Sequence, residues 1–402
     1  MSKRQRRVFL TAMATAMALS ACTGGDGAGA PGRGRLVILD GDGQVVVVES
    51  DGTAAEALTD DAGSGGSGNA TYFQPVWDPD AGRIAVSRTD ADGGTEVVVL
   101  DVDGGEPTAV ATVAQAFYLS WSPDGEQVAY LSNGGAADGI SLDVIEGEGT
   151  ERVSTGQPFY FSWNDDGSSM VAHVGLDRLE LMAGDSANEF ELAAPGPFRA
   201  PQWTDAGIVY IRIEGGTLHL TLAPPDGERR DLAELPGGGA FLVSPDGARV
   251  AIAAASAGDA VPAVQTQAPL LPGGQLVVLD VATAEWERVT DDPVVGFWWS
   301  PRGETLLVLT FVAGDIPMLM WNLWNGDGLR ETASFLPEPS FVREMLPFFD
   351  QYAQSTSPWA PDGSAFAFPG SIDGEEGIWV VEAADGAAQL VSEGTWVAWS
   401  PR

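Results

Sequence analysis

Apolar and polar positions along the chain come in short bursts, and long amphipathic helical stripes are almost absent. Runs such as Arg83-Ile84-Ala85-Val86, Val97 to Leu100, Leu276 to Leu279 and Ile378 to Val381 are aliphatic and bounded by Gly, Pro and Asp. Runs of that length, with turn residues at both ends, predict strands rather than helices.

The bursts are phased by one unit, clearest at Ser120-Trp121-Ser122-Pro123-Asp124-Gly125-Glu126-Gln127-Val128-Ala129-Tyr130. Close copies stand at Trp77-Asp78-Pro79-Asp80, Trp299-Ser300-Pro301-Arg302-Gly303 and Trp359-Ala360-Pro361-Asp362-Gly363. Val243-Ser244-Pro245-Asp246-Gly247 replaces the Trp, Trp163-Asn164-Asp165-Asp166-Gly167 replaces the Pro, and Trp203-Thr204-Asp205-Ala206-Gly207 is more worn. Trp399-Ser400-Pro401-Arg402 begins another copy at the end of the chain. Pro presets φ at a turn, Asp accepts local backbone hydrogen bonds and Gly supplies a positive φ. An apolar strand ending on the aromatic, this turn and a second apolar strand make a hairpin. A third strand ending in Asp101, Asp280 or Glu382, and a short fourth such as Arg288-Val289-Thr290, complete four antiparallel strands per period.

The key positions are spaced 44, 42, 40, 40, 56, 60 and 40 residues apart from Trp77 to Trp399. A base period of about 40 residues with four strands is that of a propeller blade, and predicts an all-β propeller. A β-sandwich with several such hairpins is the alternative. The strands Leu36 to Asp40, Val45 to Glu49 and Glu56 to Thr59 look like a second, third and fourth strand, and Trp396 to Ser400 like a first. Joined, they close the ring and leave no bare sheet edge. The expectation is eight blades, or seven if the Trp203 copy merges with a neighbour.

The Trp-Ser-Pro-Asp-Gly unit, followed by an apolar strand and a Leu-Val-Val-Leu-Asp strand, resembles the TolB-like propeller repeat, a relative of the WD repeat. The resemblance covers nearly all of residues 35–402. It implies a propeller, and it leaves function open. Its relatives include periplasmic scaffolds, non-catalytic gating propellers of prolyl-oligopeptidase-like enzymes and many lipoproteins, and a fold does not fix a function.

The first residues change the picture from a bare ring to an exported one. Lys3, Arg4, Arg6 and Arg7 precede a short apolar stretch, Val8 to Ala18, and then Leu19-Ser20-Ala21-Cys22, which looks like a bacterial lipobox. Residues 1–21 are therefore expected to be a lipoprotein signal peptide, with Cys22 carrying the lipid on the outer side of the cell membrane. Arg6-Arg7-Val8-Phe9-Leu10 also resembles a twin-arginine export motif, and the ordinary secretory route stays open. Residues 22–34, rich in Gly, Ala and Asp, form a tether that cannot bury enough surface to fold, reaching roughly 20 Å. Cys22 is the only cysteine, so no intramolecular disulfide is available.

The net charge is −37, and removing the four basic residues of the signal leaves 16 basic against 57 acidic residues, a net −41. Phosphate binding needs basic surface, so nucleic acid is excluded as an expected partner. Solubility, or attraction of cations and basic partners, accounts for such a charge. A monomer is expected.

Two periods are long. Residues 257–274 read as a surface loop. In 335–357, Ser340 is expected to cap a short helix from Phe341 to Leu346, with Phe341, Val342, Met345 and Leu346 on one face and Pro347 ending or kinking it. Phe348-Phe349-Asp350-Gln351-Tyr352 follows. Phe341, Met345, Phe348, Phe349 and Tyr352 are the candidate partner-binding residues. The alternative is that they seal the loop onto the ring.

Chemistry for catalysis is thin. His173 and His219 are the two histidines, each on its own strand, without the second His that zinc spacing needs. No Gly-x-Ser-x-Gly elbow is present, and no hydrolase domain is expected beyond the repeat. Asp40-Gly41-Asp42-Gly43 and Asp101-Val102-Asp103-Gly104-Gly105-Glu106 resemble fragments of a calcium loop but lack its full ligand pattern, so turn chemistry is expected there, with calcium the minor alternative. No cofactor and no catalytic residue is assigned. A lipid-anchored binding or scaffold protein for an envelope protein or peptide is the leading expectation. A small-ligand or glycan-binding protein using Trp298, Trp321, Trp324 or Trp396 and associated with a transporter is the first alternative. A hydrolase or lyase using carboxylates that meet at the channel is the second.

Overall fold

The computed structural model describes residues 32–63, 70–112, 114–133, 139–175, 178–183, 186–189, 199–224, 227–254, 275–314 and 318–402. The signal peptide, Cys22, most of the tether and the 257–274 loop lie outside these residues.

The chain forms antiparallel four-stranded sheets in sequence order, and the fold is a β-propeller. The strand Trp396–Trp399 pairs with Arg35–Leu39, Leu36 opposite Trp399 and Leu39 opposite Trp396, so the two ends share one sheet with Val45–Glu49 and Glu56–Ala57. Closure thus occurs at the strands the repeat phase pointed to. Apolar faces of neighbouring sheets pack on each other, with Val37, Ile84, Val86, Leu142, Ala172 and Leu309 fully buried.

The worn Trp203 copy does not merge with a neighbour. Gln202–Thr204, Gly207–Glu214, Thr217–Ala223 and Arg230–Leu235 make a sheet of their own. A merger occurs elsewhere: Leu329–Pro337 pairs with Ala365–Ile372 through Leu336–Ser371 and Pro337–Gly370, giving one seven-stranded sheet that holds two copies of the turn. The first strand of the second copy is reduced to a bridge between Trp359 and Phe366. The residues that elsewhere make that strand are taken up here by the 335–357 insertion.

The turn uses its serine as well as its Pro, Asp and Gly. Ser122 Oγ accepts from Gln127 N at 2.9 Å and donates to Asp124 Oδ1 at 2.6 Å, which holds the Asp124 carboxyl below the usual range. Ser244 and Asp246 repeat this arrangement. Gly125, with φ of +74°, occupies the left-handed region that a side chain disfavours.

At Trp77, Trp121, Trp299, Trp359 and Trp399 the repeat tryptophan joins sheets through its indole N–H. Trp121 donates to Val76 O (3.4 Å), Trp299 to Leu242 O (3.0 Å), Trp359 to Trp298 O (3.1 Å), Trp399 to Pro358 O (2.8 Å), and Trp77 closes the circuit on Ala398 O (3.2 Å). Where the Trp is lost, at Val243, another residue spans the joint. Gln202 donates to Phe241 O at 2.7 Å and accepts from Val243 N at 2.8 Å.

Candidate functional site

The site is built around the insertion. Ser340 adopts helical dihedrals and makes no side-chain cap, contrary to the expectation for it. Glu338 does that work: one carboxylate oxygen accepts from Ser340 N (2.5 Å) and Phe341 N (3.2 Å). A carboxylate at a helix start also meets the positive end of the backbone dipoles. The chain then turns helically from Phe341 to Tyr352, widest over Phe341–Met345, tightest over Leu346–Phe348 and α-helical over Phe349–Tyr352. Pro347, which has no N–H to donate, sits in the tight turn, so the path changes pitch there without stopping.

This segment occupies the axis of the ring. Gln351 donates to Phe161 O (2.7 Å) and accepts from Phe161 N (2.8 Å). Gln74 donates to the Tyr352 hydroxyl (2.5 Å) and accepts from Tyr118 N (2.8 Å). Ala200 N donates to Asp350 (3.4 Å). Phe349 meets Phe297 and Trp298 edge-on, with ring centres 5.0 and 5.5 Å away, and Tyr352 meets Tyr118 at 5.2 Å and Trp396 at 6.4 Å. First strands from around the ring thus converge on one helical turn, a meeting that is possible only on the axis. Two of them are bent to reach it: Gln74 (φ +53°) and Tyr118 (φ +47°) sit at bulges that aim them inward. Asp350 is 1% exposed, its Oδ1 has no partner, and burial pushes its carboxyl above the usual range against the pull of Arg199.

Of the five candidate partner-binding residues, Phe341, Phe349 and Tyr352 are buried and Met345 is partly buried. Phe348 is 45% exposed. Val342, expected on the apolar face with Phe341, points outward at 41% exposure, because the wide first turn rotates it off that face. Neither the bulged Gln74 and Tyr118 nor the axial roles of Asp350 and Gln351 were read from the sequence. Bulges leave no mark in an apolar pattern, and a polar side chain reads as a surface residue until its partners are known.

Three cavities surround the plug. At the turn-bearing end, a funnel of about 650 Å³ has Ala353, Gln354 and Ser357 beside Trp121, Trp163, Trp203 and Trp299. Asp165 and Asp205 face each other on its rim, and the hydrogen bond and charge of Asp205 raise the carboxyl of Asp165. At the other end, two crevices flank the helical segment. One, of about 350 Å³ and almost wholly apolar, is lined by Phe73, Phe117, Phe159, Tyr160 and Phe348, with Arg343 and Glu344. The second, about 600 Å³, lies between Leu346, Pro347 and Phe349 on one side and Arg199, Asp292 and Val294 on the other. The four tryptophans considered for sugar stacking, Trp298, Trp321, Trp324 and Trp396, are 0–4% exposed and serve packing. The funnel is lined by the repeat's own Trp121, Trp163, Trp203 and Trp299, with Trp298 beside them.

His173 lies 3.1 Å from Arg199 O through Nδ1. His219 lies 3.2 Å from Asp231, whose carboxylate also takes Arg212 in a two-pronged bond. Asp40 and Asp101 accept backbone N–H groups of their own turns, and among the described residues no three His, Cys, Asp or Glu side chains gather as a metal site.

No family model and no curated protein sequence matches the chain. Solved structures do. It is similar to a eukaryotic initiation factor at 11% identity and a TM-score of 0.55, over 92% of this chain and 98% of that one. It is similar to a prolyl endopeptidase at 13% identity and a TM-score of 0.52, over 82% of this chain and 50% of that one. TolB from Acinetobacter baumannii matches at 14% identity and a TM-score of 0.38, over 71% and 77% of the two chains. Likenesses at such identities are likenesses of fold, and the fold that the first two share with this chain is the β-propeller.

Proposed function

We propose that the chain is a lipid-anchored, extracytoplasmic binding module that takes a protein or peptide partner at the end of the ring where the insertion enters the axis. The observation that carries this reading is Phe348, 45% exposed beside the apolar crevice of about 350 Å³. Most of an apolar crevice next to an exposed aromatic is surface that water solvates poorly, and such patches mark contact sites. The ring holds it rigidly through Gln351 and Tyr352. Cys22 would tether the module to the membrane, and the prior residues would direct export. No catalytic step is assigned: the paired carboxylates Asp165 and Asp205 stand on exposed turns, open to water.

The test uses the full chain as bait on detergent-solubilised membranes. The native chain retains a partner and Phe348→Ser, which leaves the axial contacts intact, loses it. Equal recovery by both baits, or none by either, overturns the reading. Replacing Cys22 by Ser moves the protein from the membrane to the soluble exported fraction if the anchor is correct.

A second reading, small-ligand or glycan binding, has one observation in its favour: the funnel gathers Trp121, Trp163, Trp203 and Trp299 around acidic residues. Sugars stack on indole faces, so a glycan panel that leaves tryptophan fluorescence unchanged removes it.

A further inference from the structure

Three joints of the ring contain an arginine. Arg83 lies 4.6 Å over the Trp121 ring and donates to Gly125 O at 2.7 Å. Arg249 lies 4.8 Å over Trp299 and donates to Gly303 O. Arg35 lies 5.5 Å over Trp77. Each arginine begins the second strand of one sheet, and each tryptophan ends the first strand of the next. A guanidinium on an indole face is held by the ring's negative π-surface, and the turn carbonyl fixes its plane.

The same position before Trp163 is Gln127, at the start of Gln127–Asn133. Its amide reaches along its own sheet to Glu146 at 3.3 Å instead of crossing the joint. A cavity of about 310 Å³ lies there. Trp163 and Gly167 form the wall that Trp121 and Gly125 form for Arg83, and Asp124, Glu126, Glu146 and Glu151 stand in the lining together with apolar residues such as Val144 and Met170. Arg152, the one cation at its edge, is held on Asp143 at 3.0 Å. Thr305 also stands where an arginine stands elsewhere, but the tryptophan that follows it, Trp359, is only 2% exposed, so that joint offers no indole face.

We propose that the cavity between Gln127 and Trp163 receives an arginine side chain of a partner protein. That side chain completes from outside the joint that Arg83 and Arg249 complete from within. The occupant is argued from the molecule itself: the repeat shows which group fits over this tryptophan, and the acidic lining supplies the matching charge. The cavity is at the turn-bearing end, away from Phe348, so the inference stands independently of the crevice reading.

The test follows the indole N–H resonance of Trp163 in the full chain, assigned with Trp163→Phe, during titration with N-acetyl-arginine methylamide. A saturable shift is expected, at least tenfold weaker for the lysine counterpart and absent for the uncharged citrulline counterpart. Gln127→Arg places a guanidinium in the cavity from within, so it should abolish the shift and raise the melting temperature. Glu146→Gln with Glu151→Gln should weaken binding several-fold while the melting temperature stays near the native value. No shift with the arginine probe, equal shifts with the lysine probe, or a Gln127→Arg protein that still binds or melts lower would overturn the assignment.

Discussion

The turn-bearing ring and the axial insertion hold themselves together in opposite ways. The ring repeats one joint: an indole N–H crosses to the neighbouring sheet at Trp77, Trp121, Trp299, Trp359 and Trp399, and at Trp121 and Trp299 a serine-buttressed turn follows. The insertion uses each of its contacts once. Gln351 meets the strand of Phe161, Phe349 that of Phe297, Tyr352 those of Tyr118 and Trp396, and Asp350 the backbone at Ala200, and Gln351 and Tyr352 are buried at both ends of their bonds. Redundant joints spread a loss over the circle, whereas a unique buried joint has no substitute. The insertion is therefore the part where single changes should be most costly, even though it is the part that departs from the fold's rule.

The largest loss of stability is expected from Gln351→Ala. It removes both partners of the Phe161 backbone pair in a dry environment. Each orphaned group costs about 1–3 kcal/mol, so a loss of roughly 2–6 kcal/mol in denaturant unfolding is expected. Trp299→Phe keeps most of the apolar bulk but deletes one indole bond to Leu242 O and weakens the stack with Arg249. A loss of about 1–2 kcal/mol is expected there. If the tryptophan change proves the larger, the ring joints are cooperative and the contrast fails.

How much of this was legible beforehand follows the same division. The Trp-x-Pro-Asp-Gly unit carries its own turn chemistry, so strand phase, hairpins and the closure of the last strand onto the N-terminal strands follow from the repeat. The structural job of the indole N–H did not, because its acceptor lies some 40 residues away in the chain. Gln202 shows the same limit: nothing near it in sequence announces that it replaces the lost tryptophan of the Val243 copy. For the insertion, the helical segment and the aromatic content were readable, but its destination was not. Pro347 changes pitch without ending the helical path, and Ser340 yields the capping role to Glu338, since both outcomes are set by the ring into which the segment fits.

Asp350 tests the axial packing through pH. Its folded-state carboxyl is raised by burial, so the native protein holds that proton to higher pH than the unfolded chain does. Stability from this group is complete below the ordinary carboxylate range and falls as pH rises through the raised value. Asp350→Asn cannot lose a proton. Its melting temperature should match the native protein at low pH and exceed it increasingly toward neutrality. A difference that is constant with pH would mean that folding does not shift the carboxyl, and would overturn the reading of a raised Asp350.

The smallest effect belongs to the funnel rim, and it returns the comparison to the ring. Asp165 and Asp205 sit on neighbouring turns, and the hydrogen bond between them, partial burial and the charge of Asp205 raise the Asp165 carboxyl. Both are exposed, so water screens much of the interaction. The sign nevertheless resembles that of Asp350: stability falls with rising pH through the raised value. Asp205→Asn should remove this dependence and raise the neutral-pH melting temperature slightly, by less than Asp350→Asn does. The ordering matters more than either size. The same charge, placed once on a solvated repeat turn and once on the dry axis, should register weakly in the first place and strongly in the second, because burial rather than position in the repeat decides what a carboxylate costs.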